Sequence, residues 1–220
     1  MKNSYVAIID YGVGNLFNVK RAFHYLGIDS IITDNPTQIR EAPRLLLPGV
    51  GAFETGMRYL KERNLIETII DFAKSGKPVF GICLGMQLLM TQSEENGLQG
   101  GLNIIKGSVV RFRSSNDGKE NYKIPQIGWN SLIRPSVDWQ QGDDVWHNTI
   151  LGDVGDKPFV YFVHSYTVQV EDPADCLALT HYGQDRFCSV LAKRNVFGCQ
   201  FHPERSGPTG LKILENFVSF

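Results

Sequence analysis

Two stretches of this chain, LLLP at 45 to 48 and KPVFGI at 77 to 82, are apolar without the polar alternation of a strand that shows one face to water. A continuous apolar run of that length belongs to a strand covered on both faces, so the chain must also supply the helices that do the covering. It does. YVAII at 5 to 9 leads into an amphipathic stretch from about Asn15, then a strand near IDSIIT, then RLLLPG. In the first helix Leu16, Val19, Phe23 and Leu26 recur at three- and four-residue intervals, which makes one apolar stripe, and Gly27 stands where a left-handed residue ends a helix. Ala52 to Leu60 and Leu65 to Lys74 read as further helices. The rhythm is βαβ, and a parallel sheet follows.

After about residue 105 the texture changes to shorter strands, SVVRF, FVYFV, CLALTHY, SVLAKR and VFGCQF, broken by Gly, Asp and Asn, so antiparallel hairpins should extend the sheet. SGPTGLKILENFVSF closes the chain as a helix, and the polar SSNDGKEN reads as an exposed loop. With 220 residues and 42% apolar content the chain can bury one sizeable core. The expectation for residues 1–220 is one three-layer α/β domain, with a mixed, mostly parallel central sheet, helices on both faces and an antiparallel extension.

The 22 basic and 23 acidic residues are spread along the chain and leave a formal net charge of -1, so no footprint for nucleic acid or an anionic membrane is visible. No apolar run approaches the ~20 residues of a membrane-spanning helix, and MKNSYVAIID runs into a strand without a signal-peptide apolar region, which predicts a cytoplasmic protein. Cys83, Cys176, Cys188 and Cys199 are widely and unevenly spaced, which argues against a disulfide framework and a zinc site. A special cysteine here should be a reactive thiol. Asp10-Tyr11-Gly12-Val13-Gly14-Asn15 invites a dinucleotide reading, but Phe17 occupies the place of the third glycine, so neither a nucleotide cofactor nor a metal is expected. A tight turn with Asn15 near the helix N-cap accounts for it.

Gly81-Ile82-Cys83-Leu84-Gly85 follows the apolar strand and precedes the helical run MQLLM, the strand–turn–helix setting of a nucleophile elbow. Small neighbours let Cys83 project from a strained turn at the carboxyl edge of the sheet, and the amide of Leu84 can donate to an oxyanion. A thiol nucleophile needs a base, and the base needs a group that orients it. In Gln200-Phe201-His202-Pro203-Glu204, an extended backbone would aim His202 and Glu204 the same way, leaving the carboxylate to hold the imidazole. Of the other histidines, His24, His147 and His181 read as structural. His164 is a rival base with no carboxylate two residues on, and is placed in the pocket wall. Gly49, Val50 and Gly51 can turn backbone amides toward an anion or serve as a plain strand-to-helix loop.

PGVG at 48 to 51, GICLGMQ at 81 to 87 and QFHPE at 200 to 204 together resemble the class I glutamine amidotransferases in order, spacing and context. DYGVGN, PQIGWNSL at 125 to 132 and YFVHSYTV at 161 to 168 extend the resemblance over the whole chain. They narrow it to the branch whose members pass ammonia to a (β/α)8-barrel cyclase subunit, which makes imidazole glycerol phosphate and an aminoimidazole carboxamide ribotide in histidine biosynthesis. The resemblance implies a heterodimer, glutamine as substrate and a triad of Cys83, His202 and Glu204. It implies an oxyanion hole from Gly49, Val50, Gly51 and Leu84, misoriented until the partner binds its own substrate. Glutamine would lie against Gly51, Gln87, Glu95, Ser165 and Tyr166, and the partner against Pro125, Ile127, Trp129, Asn130, Asn15 and Arg205. Where Arg205 stands the family usually carries Lys, and the two differ in geometry. Three alternatives stay open: a paralogue feeding a sugar-aminating synthase, a stand-alone cysteine hydrolase, and a binding module that has lost the reaction.

Overall fold

A computed structural model of the chain describes residues 5–113, 122–135 and 145–220. The stretch SSNDGKEN, expected as a loop, lies outside the described residues. The first half runs β1 (Tyr5–Ile9), α1 (Leu16–Tyr25), β2 (Asp29–Thr33), α2 (Pro36–Glu41), β3 (Arg44–Gly49), α3 (Phe53–Glu62), α4 (Ile66–Lys74), β4 (Val79–Cys83) and α5 (Leu84–Leu88). There follow β5 (Gln92–Ser93), β6 (Gln99–Gly100), β7 (Gly107–Arg111), β8 (Gln126–Ser131), β9 (Phe159–His164), β10 (Tyr166–Val170), β11 (Cys176–Tyr182), β12 (Asp185–Lys193), β13 (Val196–Cys199) and α6 (Gly207–Val218).

The main sheet has the order β2-β1-β3-β4-β13-β12-β10-β7-β5-β6, with β11 branching from β12. The strands from β2 to β13 in that order are mutually parallel, and β12, β10, β7 and β11 add the expected antiparallel part. The apolar runs of β1 and β3 are continuous because alternate residues serve two cores. Ala7, Ile9, Leu45 and Leu47 join Ile39, Leu60 and Ile69 of α2, α3 and α4 on one face, whereas Val6, Ile8 and Leu46 join Phe23 of α1 and Ile213, Leu214 and Phe217 of α6 on the other. The three layers are those predicted.

Three details differ from expectation. FVYFV does not extend the main sheet as expected: β9 pairs with β8, formed by PQIGWNSL, in an antiparallel ribbon outside it. The elbow helix is shorter than MQLLM suggests, because the carbonyls of Leu88, Leu89 and Met90 are taken by backbone amides of residues 102 to 105 instead of a further helical turn. The turn α2 was not foreseen, since one buried residue, Ile39, makes no apolar stripe, although Asn35 and Pro36 supply the cap and first-turn residue that start it.

The strands β4 and β13, which lead to Cys83 and toward His202, are pinned at their start by Asn195. Its carbonyl accepts the N–H of Val79 at 2.9 Å, and its side-chain amide donates to the carbonyls of Ala73 and Lys77 at 2.8 and 2.7 Å. Removing that amide leaves two part-buried carbonyls short of a donor. Asn195→Ala should therefore lower stability by about 1–3 kcal/mol in urea denaturation; an unchanged midpoint would show that water replaces both bonds at no cost.

Candidate active site

Cys83 ends β4 with φ 54 and ψ -110, a left-handed conformation that a non-glycine residue adopts only when its surroundings enforce it. The enforcement is visible in its neighbours. A Cβ on Gly81 would stand 2.7 Å from the amide nitrogen of Met86, and one on Gly85 would be driven into the carbonyl of Leu47 on β3. The turn can thus press against the sheet only with glycine on both sides. Leu84 is the first residue of α5, so its N–H has no acceptor within the helix. With five residues, α5 offers the sulfur the field of little more than one turn.

His202 follows β13, which pairs with β4 in parallel, Cys199 opposite Ile82, so both strands deliver their next residues to one edge. Its Nδ1 lies 2.9 Å from Oε1 of Glu204, and the two side chains are 6% and 3% exposed, so the pair is shut off from water. His202 is extended as expected, but the extended course ends there. Pro203–Arg205 is a single 3-10 turn, closed by the N–H of Arg205 donating to the carbonyl of His202, and Glu204 reaches back from inside it. Pro203 favours this, since its fixed φ suits the first position of a helical turn. Ser206 steadies His202 by donating to its carbonyl at 2.7 Å while accepting the N–H of Tyr161 at 2.9 Å.

Burial opposes charge on the His202 ring, but the sulfur of Cys83 and the carboxylate of Glu204 outweigh it and push the imidazole pKa up to about 10. Among the described residues Nε2 has no partner in hydrogen-bonding position, so Cys83 couples to the ring by charge and proximity, not yet by an aligned bond. His164 lies in the opposite environment. Burial among Phe112, Phe162 and Phe187 lowers its pKa to about 4, against the pull of the Tyr166 carbonyl, and the charge on His202 lowers it further. It is a neutral ring that donates from Nδ1 to that carbonyl, in the wall of the site.

The remaining expected residues divide. Gly49 pairs with Cys83 in the β3–β4 register, so the loop of Gly49, Val50 and Gly51 lies beside the sulfur, with Gly51 at φ 111. Beneath Gly49 is the hydroxyl of Tyr11, fully buried and without a hydrogen-bond partner among the described residues. Glu95 accepts the N–H of Phe53 at 2.7 Å, which caps α3 directly after that loop and commits one carboxylate oxygen. The carbonyls of Ser165 and Tyr166 are engaged, by the N–H of Phe112 and by the side chains of Gln87 and His164, so substrate contacts there would fall to other backbone atoms. Gln87 also donates to Gln200, whose amide donates to Cys83 Sγ at 3.7 Å. Gln200 was not foreseen as a site residue, although it lies two residues before His202, on the same side of an extended chain.

The β8–β9 ribbon turns Ile127, Trp129 and Phe159 outward at 63%, 56% and 59% exposure, an apolar face beside the site. Trp129 meets the ring of Tyr161 edge-on, and Arg205 lies over the same ring at 4.5 Å. Pro125 and Asn15 are exposed, and Asn15 caps α1 as expected. Asn130 departs from this group: strand alternation turns it away, and it donates to the carbonyl of His181 at 2.8 Å.

The two histidines should mark stability in opposite pH windows. An unfolded histidine titrates near pH ~6.5. The His164 contribution is complete above that and is lost as pH falls toward about 4, by roughly 3 kcal/mol. The His202 contribution is complete below it and is lost as pH rises through about 10. Urea midpoints across pH 4 to 10 should show both limbs, with His164→Asn flattening the acid limb and His202→Asn the alkaline one; unchanged limbs would refute the assignments.

Residues 7–219 match the family described as glutamine amidotransferase class-I. The chain is 46% identical over 215 residues to imidazole glycerol phosphate synthase subunit HisH 1 of Legionella pneumophila (strain Paris), covering 98% of this chain and 99% of that one. It is 42% identical over 215 residues to imidazole glycerol phosphate synthase subunit HisH of Chlorobaculum tepidum, covering 98% and 100%. A solved glutamine amidotransferase superposes with a TM-score of 0.69 at 18% identity over 96% of this chain and 98% of that one. PurLQS from Thermotoga maritima gives 0.68 at 18% identity over 98% and 97%. At that identity the two structures speak for the fold, whereas the extent of the sequence match speaks for descent: the chain belongs to the class-I glutamine amidotransferase family.

Proposed function

We propose that this chain hydrolyses L-glutamine to glutamate and ammonia as the glutaminase subunit of an imidazole glycerol phosphate synthase, handing the ammonia to a (β/α)8 cyclase in histidine biosynthesis. The observation that carries the chemistry is a cysteine in a strained left-handed turn beside a buried His202–Glu204 pair. The assignment to this synthase rests on the 46% and 42% identity to subunits of that name over nearly the whole chain.

In this reading the sulfur of Cys83 attacks the carboxamide carbon of glutamine, and the carbonyl oxygen becomes an oxyanion facing the N–H of Leu84 and an amide of the Gly49–Gly51 loop. His202 gives its proton to the departing nitrogen, and ammonia leaves a glutamyl thioester. Water then loses a proton to His202 and attacks the thioester, glutamate departs, and the sulfur is restored with the imidazolium beside it. An imidazole pKa of about 10 suits the start of the cycle, since the ring holds its proton at neutral pH and must release it to ammonia.

The face of Ile127, Trp129 and Phe159 is the proposed seat of the cyclase, with Trp129 as anchor and Arg205 on its rim. Glutamate release should be slow for the chain alone and rise strongly with the cyclase and its ribonucleotide substrate together. Cys83→Ala should abolish it by more than about a thousandfold. Trp129→Ala should weaken cyclase binding by roughly thirtyfold, read by titration calorimetry. Glutamate release that ignores the cyclase would overturn the pathway, and a fully active Cys83→Ala would overturn the chemistry.

A further inference from the structure

Three polar contacts run in a line behind the nucleophile. The carbonyl of Tyr166 accepts from Nε2 of Gln87 at 3.1 Å, the same nitrogen donates to Oε1 of Gln200 at 3.0 Å, and Nε2 of Gln200 lies 3.7 Å from Sγ of Cys83. Gln200 is completely buried and Gln87 nearly so. The direction of each bond follows from the first acceptor. A backbone carbonyl can only accept, so Gln87 must present its NH2 group to Tyr166, and the second hydrogen of that group then requires an oxygen from Gln200. With its oxygen committed, Gln200 turns its NH2 group toward the sulfur. Reversing the Gln200 amide would set nitrogen against nitrogen and oxygen against sulfur, replacing two attractive contacts by two repulsive ones.

We propose that Gln200 is the fixed hydrogen-bond donor of the nucleophile, holding the Cys83 thiolate in place through both halves of the reaction, and that Gln87 is the positioning residue that keeps its amide turned the right way. The inference rests on Cys83 being the nucleophile of the proposed reaction. His202 cannot fill this role throughout, because it must carry its proton to the departing nitrogen. An amide N–H is not acidic enough to follow, so it stabilises negative sulfur without protonating it, both before attack and when the thioester releases the thiolate. The titratable groups around the sulfur leave the task open. His202, with Glu204 behind it, is the cation, whereas burial pushes the Tyr11 hydroxyl and the Cys199 thiol up and keeps them neutral. The carbonyl of Val163, 4.0 Å from Sγ, can only accept.

The test is carbamidomethylation of Cys83 by iodoacetamide in the full chain, followed by peptide mass spectrometry at pH 7 and at pH 10. At pH 7 Gln200→Leu should react about tenfold more slowly than wild type, the worth of a hydrogen bond to a charged group. Gln200→Glu should be slower still, because it places a carboxylate against the thiolate. At pH 10, where the base concentration overrides the missing donor, Gln200→Leu should come within about twofold of wild type. Gln87→Leu leaves Gln200 in place and frees its amide to turn, so it should slow the reaction at pH 7 by less; it carries the test if the Gln200 variants fail to fold. Wild-type rates at pH 7 in the variants, equal slowing at both pH values, or a wild-type Cys83 that is never labelled would each overturn the proposal. Labelling needs neither glutamine nor cyclase, so the proposed pathway can fail while this inference stands, and the reverse.

Discussion

The parallel pairing of β4 with β13, and of β3 with β4, is the constraint from which the rest of the site follows. In a parallel sheet all carboxyl ends lie at one edge, so Gly49, Cys83 and the residues leading to His202 arrive together although they come from distant parts of the chain. Each strand then leaves the sheet differently. β3 passes into an open loop with Gly51 left-handed, β4 into a turn too tight for any side chain on its flanking glycines, and β13 by way of His202 into a 3-10 turn that begins at Pro203. Three departures from one edge supply the loop, the thiol and the imidazole.

Burial alone would treat His164 and His202 alike, since both are enclosed and both lose hydration. Their fates diverge because of what faces them. His164 meets aromatic rings and a carbonyl and stays neutral, whereas His202 lies between a carboxylate and the Cys83 sulfur and holds its proton. A charge can be kept in so dry a place only when its partners are fixed, and the bonds of Ser206, Glu204 and the Tyr161 carbonyl to His202 are the fixing.

Much of this was legible in the sequence. Continuous apolar runs revealed strands with two covered faces, the Leu16, Val19, Phe23 and Leu26 stripe located α1, and glycine on both sides of Cys83 marked the elbow. Family resemblance supplied the residue roles, and the geometry brings together those of the proposed triad. What could not be read depends on contacts made in three dimensions. Of the β8–β9 ribbon only FVYFV reads as a strand; its partner β8 does not, because a half-exposed strand with a glycine in it looks like a loop. The shortened α5 reflects a later segment competing for its carbonyls. Asn130 was grouped with its neighbours because the alternation that separates it appears only once the segment is known to be a strand. Gln200 was missed because a glutamine shows its orientation only when the acceptor at the far end of its network is known.

Strand β9 does two jobs with one backbone. Its side chains Phe159, Tyr161 and Val163 share the outward face with Ile127 and Trp129, while its main chain reaches inward: the Tyr161 carbonyl holds the His202 amide, the Tyr161 amide holds Ser206, and the Val163 carbonyl borders the sulfur. Surface and mechanism are therefore not separable under mutation here. A change that altered the tilt or twist of the strand to suit a different docking shape would displace the carbonyls that hold His202 and border Cys83. Sequence variation that is ordinarily cheap at a protein's exterior is, along these six residues, confined to substitutions that leave the backbone path where it is.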